Sequence, residues 1–482
     1  MPKGPAHNIS SILSHSFNHT KYTLIKQLKT NASRLVLMAS TITMLNNGCK
    51  KEELQTKDNG QSVAAASQSD DLNADKFDAS VAVSWANMQT NLSKTTVGFD
   101  PGATGRTYAY SGLALYEAVQ AGIPGYQSLA AQLSSGLALP AADPGLSYYW
   151  PVAANASMAS ILKSLFANTS AANMTSIDSL EADYNSKFAP AITPQKLQRS
   201  IDFGKAIATA IFEWSKTDGG HEAYLHAVDP TYVAPTGPGL WIPAPPFFSP
   251  PVRPHWGDNR SFVSGIADAA AMPPPVVYSE VPGSPFYKMA NQVYKISQSL
   301  THDDTITVKF WADLPGQLNG PSHFTNVLTQ LVVKENFNLA QAAIAYAKHG
   351  IANYDGAIAC FRTKYTYNQI RPVSYIQNVL GHTTWLPVIG TPPHPEYTAA
   401  HACIMQTCAD VLKEIFGEDY SFDDHTHDAL YGTRHYDSFD AYAQEGAWSR
   451  VLAGIHYKPS VIAGLVQGRK VARRVNDLKF KN

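Results

Sequence analysis

Apolar positions recur every three to four residues over most of this chain, and strict alternation of apolar with polar residues is scarce. The spacing predicts helices over 77–91, 108–121, 151–166, 175–188 and 194–216, and again over 284–299, 322–334, 339–361, 397–416, 447–457 and 461–478. Thr193-Pro194 gives one of them a defined start, with Pro at the first helical position and Leu197, Ile201, Ile207 and Ile211 recurring behind it. No strand–helix–strand alternation, hairpin chemistry or internal repeat is found, so the pattern predicts an all-α helical bundle. Between the two groups of helices, residues 229–257 are Pro-rich and carry Trp241, Phe247, Phe248 and Trp256, which predicts a loop packed onto the body of the protein. The last segment is amphipathic and basic and reads as a helix with one solvated face.

Ahead of the helices the pattern changes. Lys21, Lys26, Lys29 and Arg34 precede an apolar run over 35–45, too short to span a bilayer and suited to the core of an export signal. Asn47-Gly48-Cys49 follows it and looks like a loose bacterial lipoprotein cleavage site, with Cys49 as the lipidated first residue. A cleaved signal or a surface helix with an incidental cysteine is the alternative. Residues 1–48 are therefore expected to be a signal segment, 49–75 a polar flexible tether, and 76–482 the folded all-helical domain. The expected location is the bacterial cell envelope, outside the cytoplasm, with the membrane reached through lipid alone.

Charge narrows the possible partners. With 37 basic and 38 acidic residues among 482, the chain lacks the broad basic footprint of a nucleic-acid binder, so any anion site must be local. Cys360, Cys403 and Cys408 lack the spacing of a zinc knuckle and read as buried small apolar residues.

Three short segments carry candidate chemistry. In Lys364-Tyr-Thr-Tyr-Asn-Gln-Ile-Arg371-Pro372, a seven-residue step on a helix would bring both cations to one face, with Pro372 ending the helix. In Thr391-Pro-Pro-His394-Pro-Glu-Tyr397-Thr398-Ala399-Ala400-His401, prolines and small residues lead into an apolar helix, as at turns whose amides face an anion, with His401 in the first helical turn. Ser449-Arg450-Val-Leu-Ala-Gly-Ile-His456 offers a bidentate oxyanion donor and an imidazole in one helical segment. Taken singly, each reads as well as a solvated face or a structural histidine.

In this order, the three segments resemble the signature of the superfamily that joins vanadium-dependent haloperoxidases to type 2 phosphatidic-acid and bacterial acid phosphatases. The outer two match fully. In the middle one Thr398, Ala399 and Ala400 stand where Pro, Ser and Gly are usual. The resemblance implies a helical bundle of that type with its active site in the C-terminal bundle, over 355–460. It implies a vanadate cofactor held by Lys364, Arg371, Arg450 and the Ala399–Ala400 turn, with phosphate competing for the same place and His456 bound to vanadium through a ring nitrogen. His401 would be the acid–base residue and Lys364 would polarise the peroxide. The co-substrates would be hydrogen peroxide and halide, with a small organic acceptor allowed. His394, backed by Phe361, would tune the halide towards bromide or iodide. Because Ala399 lacks the usual hydroxyl, serine there is expected to tighten vanadate binding.

Other readings stay open at this point. A phosphatase of the same superfamily would use His456 as nucleophile through a phosphohistidine, with His401 protonating the leaving group. A surface relative without chemistry is another. The run Asp-Asp-His-Thr-His-Asp over 423–428 could bind a divalent metal or form a polar loop, and His221-Glu222 with His226 resembles a zincin helix with one residue too many between its histidines.

Overall fold

Helix caps written into the sequence set several helix starts. Asp100, Ser170, Thr193, Ser284, Asn319 and Asn338 each accept, through the side chain, the backbone N–H three residues on, which satisfies one of the amides a helix start leaves open. The computed structural model of the protein describes residues 73–482, apart from positions 313 and 315. Its helices are α1 (Ser80–Thr95), α2 (Pro101–Val119), α3 (Trp150–Leu165), α4 (Ala171–Phe188), α5 (Pro194–Ser215), α6 (Ile266–Ala269), α7 (Pro285–Ser297) and α8 (His302–Phe310). They continue with α9 (Gly320–Lys334), α10 (Leu339–Tyr367), α11 (Pro372–Asn378), α12 (Ala400–Phe416), α13 (Asp428–Tyr431), α14 (Phe439–Leu452) and α15 (Lys458–Asn476). The strands among the described residues are β1 (Phe422–Asp424) and β2 (Arg434–Tyr436), paired antiparallel.

The expectation of an all-α bundle holds, and α6, α8, α11 and α13 are helices that periodicity did not predict. The proposed signal segment, Cys49 and most of the tether lie outside the described residues. Ala74 is already fully buried, so the fold begins slightly before residue 76. No helix among the described residues is long and apolar enough to cross a membrane.

α10 is the central element. It is 29 residues long and buried around its whole circumference, as a helix inside a core must be. Small residues let α2 lie directly against it: a Cβ at Gly112 would stand 2.5 Å from the Tyr346 carbonyl, and one at Gly350 only 2.3 Å from that of Tyr108. The same device joins α15 to α12, where a Cβ at Gly468 would stand 2.4 Å from the Cys403 carbonyl. One hydrophobic cluster runs from Trp85 on α1 through α10 to Val475 on α15. In the loop over 229–257, Trp241 and Trp256 are buried as expected, whereas Phe247 and Phe248 are exposed. Cys360, Cys403 and Cys408 are free and buried, which agrees with their reading as apolar fillers.

Candidate active site

Two local expectations are corrected by the chain path. Lys364 and Arg371 do not share a helix: α10 ends at Tyr367, Asn368 turns left-handed at φ 48°, and Arg371 is the N-cap of α11, with Pro372 starting that helix rather than stopping the previous one. Arg450 and His456 are likewise separated. α14 ends at Leu452, Gly454 at φ 81° reverses the chain, and His456 stands in the turn before α15. His401 lies in the first turn of α12, immediately after Ala400, as expected.

These turns bring the predicted residues together. All five guanidinium hydrogens of Arg371 are engaged: Nε donates to the His394 carbonyl, Nη1 to the Ile455 carbonyl and to His456 Nε2 at 3.1 Å, and Nη2 to the Pro392 carbonyl and to His394 Nδ1 at 3.0 Å. Lys364 Nζ donates to the carbonyls of Pro395 and Glu396 at 2.9 and 3.0 Å. Arg450 Nη1 donates to the Trp311 carbonyl. His456 Nδ1 stands 2.8 Å from Glu396 Oε1, an oxygen that also accepts the Tyr457 N–H at 3.0 Å.

Electrostatically this floor is short of negative charge. Lys364, Arg371 and Arg450 are buried, and the carboxylate among them is Glu396. Burial, reinforced by Arg371, holds the Lys364 ammonium down to about 7. Burial also lowers Arg371 to about 10, against the pull of Glu396. Glu396 is pushed up to about 7 by burial, against Arg371. Burial holds both His456 and His394 well below the ordinary imidazole range, and Arg371 and Lys364 add to the effect. A multiply charged anion beside these buried cations would raise their depressed basicity again and hold Lys364 in its protonated form. The residues present therefore fit vanadate: three cations, the first-turn amides of α12, and an unprotonated imidazole nitrogen, His456 Nε2, which here accepts from Arg371.

A cavity of about 360 Å³ opens over this floor, lined by His394, Ala400, His401, Arg450 and His456, with Phe324 and Phe361 on its apolar side. The His394 and Phe361 rings are 5.3 Å apart. Lys364 and Arg371 stand one layer behind the lining, bonded to the backbone of the 392–396 turn. Ala399 also stands back: its side chain packs with Ala402, Ala447, Val451 and Val461, and its N–H points to the Ser460 carbonyl at 3.4 Å. The neighbouring Thr398 hydroxyl donates to Gln467 Oε1 at 2.5 Å.

Sequence reading missed Glu396 and Trp311. The signal for Glu396 was present, since it is the only Asp, Glu, Lys or Arg between Arg371 and Asp410. The other polar clusters resolve differently. The acids and histidines over 423–428 separate into pairs, Asp424 with His323 at 2.7 Å, Asp423 with His435 at 2.7 Å and His425 with Asp428 at 2.9 Å. His221, Glu222 and His226 flank a 3-10 turn, Ala223–Leu225, instead of lying on an α-helix. Among the described residues, no group of three or more His, Cys, Asp or Glu is placed to hold a metal ion.

With this geometry established, comparison with known proteins gives the class. Residues 345–481 match the family model of the VCPO second helical-bundle domain. The solved structure of a bacterial vanadium-dependent iodoperoxidase is similar at 29% identity and a TM-score of 0.74, covering 84% of this chain and 98% of that one. Apo and holo structures of a bacterial vanadium-dependent chloroperoxidase are similar at 14% identity and a TM-score of 0.60, covering 78% and 80% of this chain and 94% and 93% of those. At that identity the likeness concerns the fold. No curated protein matches. Over residues 345–481 the chain is similar to the second helical bundle of the vanadium haloperoxidases, and over most of its length it shares the fold of the iodoperoxidase and chloroperoxidase structures.

Proposed function

We propose that this protein is a vanadate-dependent haloperoxidase that oxidises bromide or iodide with hydrogen peroxide. The observation that carries the reading is His456 Nε2, an unprotonated nitrogen facing Arg371 at the floor of a cavity that Arg450 lines, with Arg371 and Lys364 buried one layer behind it. Vanadate bound there would supply a Lewis-acidic centre for activating peroxide without changing oxidation state. Arg450 from the lining, and Arg371 and Lys364 from behind it, would neutralise its charge, and the first-turn amides of α12 would add donors. His401 lines the same cavity one turn from Ile404, which supports a role for it in taking and returning the proton of an incoming peroxide. His394 accepts from Arg371 at Nδ1, so its proton resides on Nε2, and its ring stands beside Phe361 where a halide would approach. That position favours the more polarisable halides, and the similarity to an iodoperoxidase supports the same direction.

The reading is tested by peroxide-dependent oxidation of chloride, bromide and iodide, with and without added vanadate, beside hydrolysis of a phosphate ester. Vanadate-dependent oxidation inhibited by phosphate is expected. Ester hydrolysis without vanadate-dependent oxidation would establish the phosphatase chemistry of the superfamily instead, and chloride preference would remove the role given to His394. Export and lipid attachment at Cys49 complete the proposal. Cys49→Ser should release a soluble, active enzyme, and continued membrane association would show another anchor.

A further inference from the structure

Glu396 ends a chain of three groups that begins at a cation. A guanidinium donates and never accepts, so the 3.1 Å contact from Arg371 Nη1 makes His456 Nε2 the acceptor. The single ring proton must then sit on Nδ1, and Glu396 Oε1 receives it at 2.8 Å. The carboxyl group is itself held in place. Its Oε1 accepts the Tyr457 N–H, the Glu396 N–H donates to the Gln369 carbonyl at 3.0 Å, and the Glu396 carbonyl receives Lys364 Nζ. Both side chains of the pair are almost wholly enclosed, at 4% and 0% exposure, so water does not compete for the bond.

We infer that Glu396 is a positioning residue: it locks His456 in the Nδ1–H form and strengthens Nε2 as the nitrogen that bonds the electrophilic centre of a bound oxyanion. The role rests on the vanadate reading above, and it makes two anions behave oppositely. Glu396→Gln removes a negative charge from beside the cations and allows the amide to donate to Nδ1, which would move the ring proton to Nε2. Inorganic phosphate, held by charge and hydrogen bonds alone, should bind this variant as well as the wild type or better. Vanadate, bonded through Nε2, should bind roughly 10–100-fold more weakly, as when the outer partner of a metal-bound histidine is lost. A merely structural defect would weaken both.

The experiment is calorimetric titration of the full chain and the E396Q variant at pH 8 with sodium vanadate and, separately, sodium phosphate, together with 15N spectra of the anion-free, histidine-labelled proteins. The expected results are a selective loss of vanadate affinity and an Nδ1–H resonance for His456 in the wild type that is lost in E396Q. Undiminished vanadate affinity in E396Q, or a parallel fall for phosphate, overturns the role. So does an Nε2–H form of His456 in the wild type, a measurement that does not need the variant to fold. A wild type that binds phosphate and not vanadate overturns the haloperoxidase reading itself, and the tautomer of His456 then still decides whether Glu396 orients it.

Discussion

His456 Nε2 faces a guanidinium while His401 stands on the first turn of α12, so replacing each by alanine should separate two effects. His456→Ala removes the nitrogen proposed to bond vanadium and should abolish vanadate binding. His401→Ala should leave binding measurable by calorimetry and lower turnover by about 10²–10⁴-fold, the range for a general acid–base group. Equal loss of vanadate in both variants would refute the division. Ala399 is the opposite case. Resemblance predicted that a serine there would tighten vanadate binding, yet its Cβ packs among Ala402, Ala447, Val451 and Val461. Ala399→Ser would bury a hydroxyl in an apolar cluster, so we expect unchanged or weaker vanadate affinity and a stability loss of about 1–3 kcal/mol by denaturant titration. Lys364, Arg371, His401, Arg450 and His456 were legible because their types and spacing repeat a known signature. Glu396 was legible only as a lone charge, because nothing local ties it to a histidine 60 positions further on.

At the scale of elements, what was legible was what is local. The Thr193-Pro194 start is confirmed by the Thr193 side chain accepting the Lys196 N–H, and α5 ends within a residue of its predicted limit. The breaks that build the site were not legible. They depend on Asn368 and Gly454 adopting positive φ, and periodicity cannot distinguish a helix from a helix, a turn and a second helix. Close approach of helices is equally invisible to pattern. The contact of α15 with α12 depends on glycines, and a methyl group at Gly468 would meet the Cys403 carbonyl at 2.4 Å and the Thr407 nitrogen at 3.0 Å. Gly468→Ala should destabilise the protein by about 1–3 kcal/mol through overpacking, measured as a lower denaturation midpoint. Because α12 carries Ala400 and His401 into the cavity, vanadate affinity should fall with it.

For the molecule as a whole, buried acids make stability depend on pH. Glu117 on α2 accepts the Leu129 N–H at 2.8 Å and is pushed by burial from 4.5 to about 7. Between those values the folded chain keeps a proton that the unfolded chain has released, so this group's contribution falls as pH rises through that interval and is level above it. Glu117→Gln removes the titration, and its advantage over the wild type should grow from pH 4 to pH 8 by at most roughly 3 kcal/mol, read from denaturation midpoints. A constant difference across that range would refute the assignment. The all-α architecture was legible from periodicity, but the continuity of its core was not, since which faces meet is a property of three dimensions.

That continuity bears on how the protein can be divided. The family match begins at residue 345, inside α10, the helix whose Gly350 lies against α2 and whose last turn supplies Lys364 to the anion floor. One rod thus belongs to two bundles at once. A fragment cut at the boundary of the match would leave Ala347, Gly350, Ile351 and Tyr354 facing water and a single rod cut through its first turns. Such a fragment should be insoluble or molten when expressed alone, and adding the missing half as a separate chain should restore it. The stretch recognisable by sequence and the unit expected to fold are therefore different lengths of the same polypeptide.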